Sequence, residues 1–451
     1  MKIQNSMPGS ARKRPASIGG WDKAMLVMLV MCLVQFFGVW FYPKFEFGSA
    51  VLANQGKALS VPFQYLLWAF VLLSAARFLQ QRGAAPLVDA LKPFFPFLLV
   101  GLAASAFGID PFGSLRMMSL WGLMALSAVV LGYSIPPERA LRTMLGSMFV
   151  FLLLSAIWSV AMPAYGLQGG EGANMWRGLF VGKNLLGWIA ALVLVVACSM
   201  YRTGYRRLPA MTIVLAVLCL MGSGSKGALV AALAALAYGY LVPRLMRHVT
   251  PGFGTAIILV GGLCAVVCAA LVFPIIVDLL GRDVTLTGRT IIWKTYFMSM
   301  TNTPWLGQGP GAYTALSAIT AVLAARLNDL GAIATPHNIY LGVLGDAGLF
   351  GLLAFLGMMI YMVLIVPAYR RGYLWMLTGT IGFLIMANGL VETQQIFSAG
   401  PGWFLLILLR SMALRQSGTV GAEPAQQARV RPMSKSGLAP APAPALHKAG
   451  F

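Results

Sequence analysis

The chain has 451 residues, of which 59% are hydrophobic and 10% charged, with 33 Lys and Arg against 12 acids and a net charge of +21. Soluble domains carry about 25% charged residues, so this composition excludes an ordinary soluble protein, and a mean hydropathy of +0.79 excludes a disordered chain. What remains is an all-α polytopic membrane protein, whose basic excess reads first as the cytoplasmic bias of Lys and Arg rather than a nucleic-acid footprint.

In chain order, a basic N-terminal tail (1–23, with Lys2, Arg12, Lys13, Arg14 and Lys23) leads into an apolar run from Ala24 to Phe41. That run is long enough to span the hydrocarbon and too long for a cleaved signal, so it is expected to remain as the first transmembrane helix. Twelve candidate spans lie near 24–42, 61–79, 93–109, 116–133, 143–163, 183–201, 208–222, 225–242, 254–278, 348–367, 372–391 and 399–414. They divide the chain into nine spans over 24–278, a large external loop over 279–347, three spans over 348–414, and an Ala/Pro-rich tail over 415–451 expected to be disordered. With the N-terminus inside, 23 of the 33 basic residues fall in cytoplasmic segments and ten outside, which predicts both termini in the cytoplasm. Cys32, Cys198, Cys219, Cys264 and Cys268 all lie in apolar runs and read as small buried hydrophobes rather than a disulfide framework.

The loop 279–347 breaks the rhythm of short connections. It carries Trp293, Trp305 and a helix-like stretch from Thr314 to Leu330, so a folded external subdomain is expected there. Of the three His, His248 falls in a cytoplasmic loop and His447 in the tail; His337 alone is external, in Thr335-Pro336-His337-Asn338. Thr at the cap and Pro at the first helical position predict a helix start with His337 in its first turn. The dipole there favours the neutral imidazole that a general base requires, the alternative being a solvated loop His.

Cations form the second signal. Arg289 precedes Trp293; Lys226 lies in the hinge Ser223-Gly224-Ser225-Lys226-Gly227; Lys183 and Asn184 open the sixth span, with Arg177 just before. Each alone reads as an interfacial anchor, but together they suit a phosphate or diphosphate head group. There is no Asp-x-Asp pair and no His-Glu-x-x-His, so neither a metal site nor a cofactor is expected. Gly307-Gln308-Gly309-Pro310-Gly311 reads as a tight turn, since no strand precedes it and no Gly-Lys-Ser/Thr follows.

The stretch from Gly288 to Gly351 resembles the core of the O-antigen ligase and O-antigen polymerase superfamily. The matching residues are Gly288-Arg289-Thr290 with Trp293, Pro304-Trp305-Leu306-Gly307-Gln308-Gly309, and His337-Asn338 followed after nine residues by Gly348 and then Gly351. Gly178-Leu179-Phe180, Lys183-Asn184-Leu185-Leu186-Gly187 and Ser223-Gly224-Ser225-Lys226 are similar to its exopolysaccharide polymerase branch. The resemblance implies a GT-C-like, metal-independent inverting glycosyltransferase of the bacterial inner membrane, with its active site facing the periplasm. It implies an undecaprenyl-diphosphate-linked oligosaccharide as donor and a glycan or lipid A-core as acceptor, with a chain-length regulator as a possible further partner. His337 takes the place of the family's loop His and Arg289 that of its Arg before the Trp, while Lys226 stands where ligases usually carry Arg. Lys226, Arg177 and Lys183 are the expected diphosphate ligands, with Asn184, Asn338 and Trp293 in support.

The Lys183-Asn184 stretch and the hinge Lys incline the reading to a repeat-unit polymerase, with an O-antigen ligase as alternative. A secondary transporter would also suit twelve spans, but no internal repeat is evident, no span shows an acid or base at its centre, and the long loop would be unusual.

Overall fold

The computed structural model describes residues 19–40, 57–169, 174–261, 289–314, 319, 322–323, 335–370, 372–392 and 396–429. Among them the chain is helical, with a single isolated bridge between Leu167 and Trp176. In chain order the helices are α1 (Gly20–Phe37), α2 (Lys57–Arg82), α3 (Ala85–Phe107, including a 3₁₀ turn at Lys92–Phe94), α4 (Pro111–Ser134) and α5 (Pro137–Ala161). There follow α6 (Lys183–Arg202), α7 (Arg207–Ser223), α8 (Lys226–His248), α9 (Pro251–Gly261), α10 (Arg289–Met300), α11 (Ile339–Tyr369), α12 (Tyr373–Gly389) and α13 (Pro401–Arg429). Eight of the described helices, α1 to α6, α8 and α11, are long and apolar enough to cross a membrane, which makes this a multi-pass membrane protein.

Helices stand at all twelve places read as spans, the ninth being described only as far as Gly261. Cys264, Cys268 and most of the Thr314–Leu330 stretch lie outside the described residues. The three described cysteines are free thiols; Cys32 and Cys219 are buried as expected, whereas Cys198 is only half-buried.

Burial sorts the helices. In α6 every residue from Leu186 to Ala197 is buried, and in α13 every residue from Trp403 to Ala413, as expected of helices apolar on all sides at the centre of a bundle. The outer helices instead turn Leu66, Leu73, Leu99, Phe112, Val214 and Leu353 outward. A surface of this kind suits hydrocarbon rather than water. α6 packs on α7 and α8, α8 on α12, α12 on α13, and α11 on α3, so the helices that carry the candidate site lean on the central pair.

Three features differ from the sequence reading. α13 runs to Arg429, past the boundary at 414. It also carries Arg410, a base not singled out in the sequence, which is 5% exposed and lies toward the end of the span rather than at its centre. Finally, α11 begins at Ile339 rather than near 348, because Asn338 caps it: its side-chain oxygen accepts from Tyr340 N at 2.9 Å and Leu341 N at 3.0 Å. Thr335 and Pro336 therefore precede the helix instead of opening it, and His337 stands just before the cap with a positive φ of 46°.

α11 is broken at Gly348, where φ is 65° and ψ −166°. Only glycine readily takes this conformation, and a Cβ there would sit 2.2 Å from the Trp305 carbonyl oxygen. The break frees backbone donors that the loop uses: Leu349 N donates to Pro304 O at 2.8 Å, and Phe350 N to Trp305 O at 3.2 Å. Substituting Gly348 by Ala is expected to destabilise the protein by about 2 kcal/mol or more, read as a lowered unfolding temperature in detergent.

Candidate active site

The glycine-rich loop 307–311 is a turn, as its sequence suggested, and it wraps a carboxylate of the protein itself. Asp346, fully buried in the first part of α11, accepts from Gly311 N at 2.9 Å, from Tyr313 N at 2.7 Å and from the Thr314 hydroxyl. Gln308 N and Gly309 N donate to Gly345 O and Asp346 O at 2.9 Å each. The loop thus holds the buried Asp346 carboxylate with two backbone N–H groups and a hydroxyl, while two more N–H groups pair with the backbone of α11. Together with the bonds at the Gly348 break, this makes the Pro304–Gly309 motif and the His-Asn…Gly motif one structural unit.

Beneath that loop, Ile292, Tyr296, Met300, Ala312 and Tyr313 form a small core. Burial pushes the phenols of Tyr296 and Tyr313 up, with Ser299 pulling Tyr313 the other way, so both act as neutral hydrogen-bonding groups. This core fixes α10 against α11. Four residues after Arg289, the Trp293 indole donates to Pro336 O at 2.9 Å, which ties the helix that carries Arg289 to the residue before His337.

His337 and Asn338 meet the end of α12. Asn338 Nδ2 donates to Leu390 O at 3.2 Å, while His337 Nδ1 lies 3.3 Å from Glu392 Oε2. The other oxygen of Glu392 accepts from Asn184 Nδ2 at 2.8 Å. Glu392 thus bridges the start of α6 to the imidazole. The His337 side chain is 32% exposed and that of Glu392 17%, so the pair sits at the edge of the bundle, open to a substrate.

The hinge carrying Lys226 closes onto the same place. A Cβ on Gly227 would lie 2.5 Å from Val391 Cγ2, and one on Gly187 would lie 2.4 Å from Ser225 Cβ, so α6, the hinge and the end of α12 are in close contact. Trp176 N donates to Gly222 O at 2.8 Å, which brings the segment before α6 to the hinge as well. Arg177 is fully buried there, its backbone N–H bonded to Gly166 O at 2.9 Å, and so is no exposed anchor. Lys226 is exposed and Lys183 half-buried.

Two expected phosphate ligands share one local feature: Lys183 and Lys226 are each the first residue of a helix. A cation at the positive end of a helix is unfavourable by about 0.3–1 kcal/mol. An anion bound there reverses the sign, since helix N–H groups and side-chain cations then act together.

Residues 211–356 match the family model of the O-antigen ligase. No curated protein matches the chain. The O-antigen ligase stretch contains Lys226, Arg289, Trp293, His337, Asn338 and the break at Gly348, so the resemblance read from the motifs holds over this region. Arg177, Lys183, Asn184 and Glu392 lie outside it, and the fold joins the last two to His337. Glu392 is the residue sequence reasoning missed; the available signal was an acid at the end of an apolar run. Among the described residues no group of three or more His, Cys, Asp or Glu comes together.

Proposed function

We propose that this chain is a membrane glycosyltransferase that moves a glycan from undecaprenyl diphosphate to an acceptor hydroxyl at the periplasmic face of the bacterial inner membrane. The observation that carries this reading is the contact between His337 Nδ1 and Glu392. An ionised carboxylate only accepts, so it holds the imidazole hydrogen on Nδ1 and leaves the lone pair on Nε2. Nε2 then takes the proton of the acceptor hydroxyl. The acceptor oxygen bonds to the anomeric carbon with inversion, and the bond from that carbon to the diphosphate oxygen breaks, its electron pair leaving with the lipid diphosphate. Glu392 stabilises the imidazolium that forms.

The departing diphosphate gains charge, and Arg289, Lys226, Lys183 and Arg177 offset it together with the helix N-termini that Lys183 and Lys226 open. Cations in this role make a metal unnecessary. Lys226 supplies charge without the bidentate fork of an Arg.

Within this class, the Lys183-Asn184 stretch and the hinge Lys favour a repeat-unit polymerase of exopolysaccharide or O-antigen. The description of the matched family favours the second reading, a ligase that joins the glycan to lipid A-core. Cells lacking the protein decide between them. A polymerase deletion leaves single repeat units on a gel, and a ligase deletion leaves long polymer on its lipid carrier. Purified protein with a lipid-linked donor is expected to transfer equally well with and without a chelator. Loss of transfer on chelation would move the chemistry to a metal.

A further inference from the structure

A second polar feature lies at the other end of the bundle. Arg410 of α13 is 5% exposed, and its guanidinium donates to Ala90 O at 3.0 Å and Asp89 O at 3.1 Å. It also lies 5.9 Å from the Tyr361 ring and 5.7 Å from that of Trp375. Among the described residues no carboxylate forms an ion pair with it; Asp89 offers it a backbone carbonyl. Arg370 stands 6.0 Å from the same Trp375 ring, so two guanidinium groups share one aromatic side chain. A buried cation without a counter-anion is costly in a bilayer and marks a functional site by default.

Arg410 lines a cavity of about 500 Å³ between α3 and α11, together with Lys92, Pro93, Pro96, Ala354, Gly357, Met358 and Tyr361. Lys92, Pro96, Gly357 and Tyr361 are exposed, so the cavity opens sideways from the bundle. Its walls are apolar apart from the two cations and the phenol, and no acid lines it. The α-helix of α11 gives way at Tyr361 to a five-residue π turn, a distortion that recurs at functional sites.

Depth fixes the kind of ligand. Tyr361 lies 22 residues along α11 from Ile339, at most about 33 Å at 1.5 Å per residue across the break at Gly348, which is comparable to the thickness of the hydrocarbon. Along α3 the far end is held at the loop by the bond from Ile109 N to Gln308 O, and Lys92 lies most of a bilayer below it. The groove therefore sits at the bilayer face opposite His337, out of reach of a diphosphate bound beside that imidazole.

We propose that this groove binds an anionic phospholipid, its phosphate between Lys92 and Arg410 and its chains along Pro93, Pro96, Ala354, Gly357 and Met358. A lipid fits better than a free anion because the cationic floor continues into an apolar, laterally open wall. Bound there, the phosphate supplies a counter-charge to Arg410 and ties α3, α11 and α13 together.

The test is thermal unfolding of the purified full chain in neutral detergent, with phosphatidylglycerol, phosphatidylcholine or inorganic phosphate added. Phosphatidylglycerol is expected to raise the unfolding temperature by about 3–6 °C, and the other two by less than about 1 °C. Lys92→Gln, at an exposed position, is expected to halve the shift or more. Gly357→Leu fills the groove; a Cβ there meets nothing within 4 Å, so the variant folds and loses the shift. Arg410→Gln removes the shift as well, and should that variant fail to fold, the other two carry the test. An equal shift in wild type and Gly357→Leu, or an equal response to phosphatidylcholine, overturns the proposal. An equal response to inorganic phosphate replaces the lipid with a free-anion site and overturns it too. No glycosyl transfer is read, so the result stands or falls apart from the chemistry at His337.

Discussion

Replacing His337 by Asn is expected to cut glycosyl transfer by about 10²–10⁴-fold, the usual contribution of a general base, with membrane insertion and unfolding temperature close to wild type. Asn is the informative replacement. His337 holds a φ of 46°, a left-handed conformation that costs most side chains about 1–3 kcal/mol and that Asn tolerates well. His337→Asn therefore keeps the backbone before the α11 cap and removes the proton acceptor. His337→Ala removes the base equally but carries the strain without the compensation, so a small loss of stability beside the same loss of transfer is expected. Initial rates with purified protein and a lipid-linked donor provide the measurement, and full activity in His337→Asn would withdraw the base assignment. The strained φ itself fits a site where the surrounding structure dictates a position: the Trp293 indole holds Pro336 O from one side, and Asn338 is bonded to Leu390 O on the other.

The helices were legible because each apolar run is long against its charged connections, and a helix is described at each place so marked, the ninth only as far as Gly261. Boundaries were less so. Thr335-Pro336 and Asn338 both satisfy the rules for opening a helix, and only the fold shows that Asn338 does, with two backbone donors on its side-chain oxygen. Gly348 looked like the first residue of a span because a glycine ahead of an apolar run reads as a boundary; it is instead the break inside α11. The motifs at 304–309 and 337–351 could be recognised separately, but the bonds from Leu349 and Phe350 to Pro304 and Trp305 cannot be read from spacing. Arg410 drew no notice in the sequence, and its burial depends on the carbonyls of Asp89 and Ala90, 321 and 320 residues away.

Glu392 shows the same limit at the candidate site, since its partners lie 55 and 208 residues away in the chain. Glu392→Gln is expected to lower the turnover rate by at least about 10²-fold while leaving the Michaelis constant nearly unchanged. The amide nearly matches the carboxylate in shape, so Asn184 still finds an oxygen to bond. It has no charge with which to stabilise an imidazolium, and its NH₂ can face Nδ1 as a donor, which places the hydrogen on Nε2 and blocks the base. A side chain that merely braced α12 would instead tolerate this near-isosteric exchange. Glu392→Asp keeps the charge on a shorter arm and is expected to recover part of the rate, whereas Asn184→Ala removes one tether and leaves the charge, giving a smaller loss than Glu392→Gln. Steady-state rates for the three variants against donor concentration separate these outcomes. A Glu392→Gln enzyme with wild-type turnover, or one altered only in its Michaelis constant, would leave His337 without a positioning carboxylate.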